Sequence, residues 1–74
     1  MEREVIIQFL DRVDYVVEKI QENPFLYPIY KSRKDIRKAV INKQVVLYFR
    51  IINNDTIELL TFWNTHRDPK RLKF

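Results

Sequence analysis

The chain has 74 residues, contains no cysteine or glycine, and carries a formal net charge of +4. A chain of this length forms one domain, expected over residues 1–74, and buries only about 60% of the surface that its unfolded form exposes. Because cysteine is absent, histidine occurs once and the apolar runs are short, the composition excludes disulfides and Cys-based zinc sites and indicates a cytoplasmic protein without metal, cofactor or membrane span.

The first predicted element is an amphipathic helix over residues 3–22. Its apolar side chains recur at spacings of three and four residues, in Ile6, Leu10, Val13, Val17 and Ile20. Asn23-Pro24 ends the helix, because the residue before proline avoids the α region and proline has no N–H for another turn. Residues 23–34 are expected to form a loop in which the segment 25–27 packs on the core.

Three β-strands are predicted within the sheet region, residues 36–63, from runs of β-branched and aromatic residues. They cover residues 36–42, 44–52 and 56–63, and the polar segments between them suit tight turns. Since glycine is absent, we expect asparagines to supply any left-handed turn conformations. The sequence therefore predicts an α+β fold, in which one N-terminal amphipathic helix packs on a three- to four-stranded antiparallel β-meander, followed by a basic tail over residues 64–74.

Alternation along the strands separates the side chains onto two faces of the sheet. In the second predicted strand, Leu47 shares a face with Phe49, and Tyr48 shares the other with Arg50. In the third, strict alternation groups Ile57, Leu59, Thr61 and Trp63 on one face. Both faces are rather apolar, so the helix covers one and something else must shelter much of the other.

Charge is unevenly distributed along the chain. Residues 1–30 carry three basic and six acidic side chains, whereas residues 31–74 carry eleven basic and four acidic ones. The second part therefore suits an anionic partner, either nucleic acid or an acidic protein segment. A basic surface that only aids solubility is an equal alternative.

Most enzyme classes are disfavoured, because no Gly-rich phosphate loop, carboxylate pair or nucleophile–base motif occurs. What remains is a set of basic and hydroxyl side chains that antiparallel pairing can bring to one end of the sheet. The candidate catalytic residues are Arg37, Tyr48, Arg50, His66 and Arg67. The candidate nucleic-acid-binding residues are Lys38, Lys43, Lys70 and Arg71.

Such a set suits RNA binding, and also RNA cleavage without a metal ion. In that reaction a base removes the 2′-hydroxyl proton, a cation stabilises charge at phosphorus, and an acid protonates the leaving oxygen. His66 is the candidate proton carrier, because histidine titrates near neutral pH. The alternative is an exposed loop histidine without a role.

Three segments in this order resemble RelE/ParE-type toxins of bacterial type II toxin–antitoxin systems. They are IQENPFLYP at the helix end, IRKAVINKQVVLYFRI in the first two strands, and TIELLTFWNTHRDPKRL from the third strand onward. The resemblance implies a toxin that inhibits growth by ribosome-dependent mRNA cleavage as an endoribonuclease. Two alternatives remain open: a ParE-like inhibitor of DNA gyrase, and a non-catalytic basic module that binds RNA or a peptide.

The resemblance also implies partners. A cognate antitoxin is expected to add a helix or strand to the toxin and to mask its basic face with acidic side chains. Family members begin with a strand and a further helix, and this chain is expected to lack that unit. Its absence leaves apolar surface exposed, which predicts a homodimer or a toxin–antitoxin hetero-oligomer.

Overall fold

The computed structural model describes residues 3–67 together with residues 71 and 72, and side chains from residue 7 onward. The elements in chain order are helix α1 (Arg3–Glu22), a 3-10 turn (Pro24–Leu26), β1 (Ile29–Tyr30), β2 (Arg33–Val40), β3 (Val45–Asn53) and β4 (Thr56–Asn64). The strands form one antiparallel sheet in the order β1-β2-β3-β4. The predicted α+β fold, one helix on a β-meander, is confirmed.

Helix α1 covers one face of the sheet through its apolar stripe. Val16 and Ile20 are buried together with Leu47 and Phe49, and further apolar side chains of the helix pack around them. The helix ends at Glu22, as predicted, since the next residue precedes the proline that starts the 3-10 turn. The α1 face of the sheet is therefore the main core.

The segment between the helix and the sheet is more ordered than the loop predicted over residues 23–34. β1 pairs with β2 at residues 29 and 30, and β2 begins three residues before the predicted start at residue 36. β1 has only two residues, Ile29 and Tyr30, and the first three residues of β2 are charged, so neither segment shows an apolar alternation of its own. Their pairing with a neighbouring strand, which a single segment does not reveal, accounts for the difference.

Only one residue of the aromatic segment 25–27 packs on the core. The Tyr27 ring meets Phe49 edge-on at 5.7 Å, whereas Phe25 and Leu26 are 63% and 78% exposed. Phe25 and Leu26 lie in the 3-10 turn, whereas Tyr27 follows it with an extended backbone, so the three side chains point in different directions. The expectation that all three pack inward is wrong for Phe25 and Leu26.

The asparagines shape the turns through their side chains rather than through left-handed backbone. The Asn42 side-chain oxygen accepts bonds from the N–H groups of Gln44 and Val45, at 2.8 and 2.9 Å. Asn53 accepts one from Asp55 at 2.9 Å. No residue in the described ranges has a positive φ, so these turns need no left-handed conformation from an asparagine.

A β-bulge in β4 changes which side chains share a face. Tyr48 lies opposite Thr61, but the next residue, Phe49, lies opposite Leu59, so Leu60 is the extra residue. Directly opposed residues share a face, and Thr61 therefore points to the side away from α1, with Tyr48. We call this side the open face. The strict alternation predicted for the third strand is wrong beyond Leu59.

Candidate nucleic-acid interface

Arg37 does not join the other predicted catalytic residues. It lies opposite Phe49 in the β2–β3 pairing, which places it on the α1 face. Its Nη1 donates to the Tyr27 carbonyl oxygen at 2.7 Å, and its guanidinium lies 5.4 Å from the Phe25 ring centroid. Arg37 thus ties the 3-10 turn to the sheet, and the expected convergence is wrong for this residue.

Arg50 lies at the end of the sheet near the β3–β4 turn, where carboxylates neutralise it. Its guanidinium pairs with Glu58, its cross-strand neighbour, and its Nη1 is 3.9 Å from Asp35 Oδ2. Arg33 donates two bonds to the same Asp35 carboxylate, at 3.0 and 2.8 Å, and these bonds lower the pKa of Asp35. We call Arg33, Asp35, Arg50 and Glu58 the paired end; its two positive and two negative charges cancel.

Tyr48 lies in the middle of the open face and is only 8% exposed. Its ring meets that of Tyr30 at 5.3 Å in an edge-on contact. Burial, with a smaller effect of Tyr30, raises the pKa of the Tyr48 hydroxyl above its ordinary value of 10.0. At neutral pH the hydroxyl is therefore protonated, so it suits hydrogen bonding or proton donation better than the role of a general base.

The opposite end of the sheet brings together basic side chains and the single tryptophan. Trp63 lies on the open face, opposite Val46, and the Arg67 guanidinium is 5.7 Å from its ring centroid. A cleft of about 790 Å³ is lined by Trp63, His66, Arg67 and Arg71. With Lys43 from the neighbouring loop, these residues form what we call the basic end.

Backbone hydrogen bonds hold the two loops of the basic end side by side. Thr65 donates from its N–H to the Gln44 carbonyl at 2.8 Å and from its hydroxyl to the Lys43 carbonyl at 3.2 Å. The Asn64 side chain accepts a bond from the His66 N–H at 2.8 Å, and the Asn64 carbonyl accepts one from the Arg67 N–H at 3.0 Å. The turn after β4 thus presents His66 and Arg67 beside Lys43.

The basic end carries three exposed cations, on Lys43, Arg67 and Arg71. Among the residues that the structure describes, no carboxylate pairs with Lys43, Arg67 or Arg71. All three side chains are exposed, and Arg67 is the one held over an aromatic ring. Guanidinium groups bind phosphate through two parallel bonds, and an indole ring offers a surface on which a base stacks.

The structure therefore groups some of the predicted site residues and separates others. His66, Arg67, Arg71 and Lys43 lie at the basic end, and Lys38 lies opposite Tyr48 on the open face. Lys70 lies outside the described residues. Trp63, which strict alternation groups with Ile57 and Leu59, belongs to the basic end because of the bulge, which nothing in the sequence of β4 predicts.

Two further findings concern the described residues. No group of three His, Cys, Asp or Glu side chains there is placed to hold a metal ion. No helix in the same ranges has both the length and the apolar character needed to cross a membrane.

Comparisons with models of protein families, with curated proteins and with solved structures found no match to this chain. The chemistry of its own residues is thus what bears on function.

Proposed function

We propose that this chain is a RelE/ParE-type toxin that acts in the cytoplasm and engages RNA through the basic end. One observation carries the proposal. Arg67 lies over Trp63 beside His66 and Arg71, at the one end of the sheet where no described carboxylate neutralises the cations. Such a site attracts the phosphate backbone and offers a ring for stacking, the two interactions typical of single-strand binding.

Lys38, on the open face, extends the proposed RNA-binding surface beyond the basic end. Lys38 is exposed and lies opposite Tyr48, between the basic end and the paired end. A single strand of RNA that begins at Arg67 can therefore continue across Lys38. It would end at the paired end, where Asp35 and Glu58 neutralise Arg33 and Arg50.

In the catalytic form of the proposal, His66 is the proton carrier. It takes the 2′-hydroxyl proton, the 2′-oxygen bonds to phosphorus, and the bond from phosphorus to the 5′-oxygen breaks. The leaving oxygen receives a proton from water, and the products are a 2′,3′-cyclic phosphate and a 5′-hydroxyl. Arg67 stabilises the added negative charge at phosphorus, an interaction that strengthens in the transition state.

A second candidate function is RNA binding without cleavage. It is favoured by the position of Arg37 on the α1 face and by the carboxylates around Arg50. These two arginines are the predicted catalytic cations that the fold keeps away from His66. One histidine and one adjacent arginine are enough to bind RNA, whereas cleavage is predicted to use the other two arginines as well.

The toxin proposal includes a cognate antitoxin. An acidic segment of that partner would cover the basic end, pair with Arg67 and Arg71, and block RNA. The open reading frame beside the gene gives a direct check. A short acidic protein encoded there supports the pair, and co-expression with it should restore growth.

The main experiment is growth after induced expression, compared between the natural chain and two variants. The double variant His66→Ala with Arg67→Ala should lose toxicity, since it removes the proton carrier and the phosphate contact. Arg33→Ala, which removes a cation from the paired end, is the matched control and should stay toxic. Persistent toxicity of the double variant would remove His66 and Arg67 from the site, and a harmless natural chain would contradict the toxin proposal.

RNA and DNA from the arrested cells distinguish a toxin that cleaves mRNA from a toxin that inhibits gyrase. Cuts in translated messages at ribosome positions support cleavage of mRNA, whereas loss of DNA supercoiling with intact messages supports a gyrase inhibitor. If the purified chain binds RNA but neither arrests growth nor cleaves messages, the second candidate function holds.

A further inference from the structure

The outer edge of β4 is a sheet edge whose regular pairing is interrupted at the Leu60 bulge. β4 is nine residues long, is the last strand in the sheet order, and in the described part of the chain is paired on the β3 side only. Every second residue of such a strand presents its N–H and C=O outward. The strand contains no lysine or proline to prevent pairing, and its single charged residue, Glu58, is bound to Arg50.

An apolar band runs beside this edge on the α1 side. Leu59 and Phe62 are 44% and 46% exposed. The Arg12 Nε donates to the Ile41 carbonyl on the β2 side of the helix at 2.9 Å. Since residues of a helix are about 100° apart, the opposite flank, with Leu10, faces the β4 side. We call Ile7, Leu10, Leu59, Phe62 and the β4 edge the β4 border.

The exposed area is large for a chain of this size. The chain exposes 6068 Å², whereas a compact monomer of 9.2 kDa exposes about 4,900 Å². A stable protein–protein interface buries about 800 Å² on each partner. Over the whole chain, the excess of roughly 1,100 Å² is larger than the area that one partner contributes to an interface of ordinary size.

We propose that the β4 border is a homodimer interface in which the β4 strands of two copies pair antiparallel about a two-fold axis near Leu60. A second copy suits this edge because β4 brings no unneutralised charge to it. The two sheets become one, with both open faces on the same side. The inference stands whether or not the chain is a toxin.

Sedimentation velocity of the purified chain tests the interface. Interfaces of this size have dissociation constants from about micromolar downward, so the chain should sediment as a dimer of twice 9.2 kDa at about 100 µM. Leu59→Lys and Phe62→Lys should each raise the dissociation constant at least about tenfold, since each sets two charges against the apolar band. Val40→Lys, at a 63% exposed position near the end of β2, is the matched control and should leave the dissociation constant unchanged.

Cross-linking supplies a second measurement that does not depend on the folding of the lysine variants. The chain has no cysteine, so a single introduced thiol reports one position. Leu60→Cys should form a disulfide-linked dimer under mild oxidation, and Val40→Cys should not. A monomer at about 100 µM, equal cross-linking of both variants, or loss of the dimer in Val40→Lys alone would overturn the proposal.

Discussion

The two ends of the sheet contain similar residues and differ in how those residues are paired. At the paired end, Arg33 and Arg50 are held by Asp35 and Glu58. At the basic end, Arg67 lies over a tryptophan ring, and no described carboxylate is bound to it. An arginine that is already bound to a carboxylate must break that bond to bind phosphate, whereas Arg67 need not. Pairing, rather than the number of cations, therefore distinguishes a binding surface from a structural one.

The largest expected effect comes from removing the scaffold that both ends share. Phe49 is fully buried beneath α1, and Phe49→Ala should lower the free energy of unfolding by about 3–5 kcal/mol. Since small domains have only about 5–15 kcal/mol in total, both ends should lose their function together. Urea denaturation measures the change. Phe25→Ala, at a 63% exposed position, is the matched control, and an equal loss there would contradict the assigned core.

Removing one arginine from each end tests the comparison directly. Arg67→Ala should weaken binding of single-stranded RNA about tenfold and reduce the slope of log affinity against log salt by about one, because one phosphate contact is lost. Arg50→Ala should change the affinity little, because Glu58 already neutralises that guanidinium. Fluorescence anisotropy at several salt concentrations gives both quantities. Equal losses for the two variants would show that pairing does not decide binding.

Tyr48 links the two ends and should make the fold sensitive to alkali. Its pKa is raised in the folded state, so the unfolded chain loses this proton first. The contribution of Tyr48 is fully present below the ordinary pKa of 10.0 and is lost as the pH rises through the folded value. Tyr48→Phe should reduce the loss of stability between about pH 9 and 11 in urea denaturation. Tyr15→Phe, at a 52% exposed position, should not.

The smallest expected effect is on the stability of the fold at acidic pH, to which Asp35 of the paired end contributes. Asp35 has a lowered pKa because of its bonds to Arg33, so its contribution is present above its ordinary value of 3.8 and is lost as the pH falls through the lower folded value. Asp35→Asn should therefore flatten the decline of stability in acid. The group is exposed, so the change is small. Urea curves at closely spaced acidic pH values check it, and an unchanged decline would argue against the Arg33–Asp35 contact.

The sequence predicts the elements because their signals are local. The helix follows from its three- and four-residue spacing and from Pro24, and β3 follows from its run of apolar residues. β1 and the start of β2 escape prediction because a two-residue segment and a charged segment become strands only when a neighbour supplies hydrogen bonds. Such pairing is a property of two segments rather than of one.

The candidate site depends on register, which the sequence leaves open. A shift of one residue between β2 and β3 exchanges Arg37 and Lys38 between the two faces, and no residue in either strand fixes the choice. The bulge at Leu60 likewise shifts the pairing of β3 with β4 by one residue. It moves the residues after Leu60 to the other face and places Trp63 on the open face. The sequence predicts His66 and Arg67 in one site from antiparallel pairing and from the family resemblance, and the structure places them beside Lys43 and Trp63.

The most direct test of the basic end uses Trp63, the only tryptophan in the chain. Its fluorescence should change on titration with single-stranded RNA, with a midpoint that moves to higher RNA concentration as salt increases. The change should be much weaker in Arg67→Ala and preserved in Arg50→Ala. RNA that binds with unaltered Trp63 fluorescence would place the binding surface elsewhere on the chain, and RNA that does not bind would contradict the proposed function.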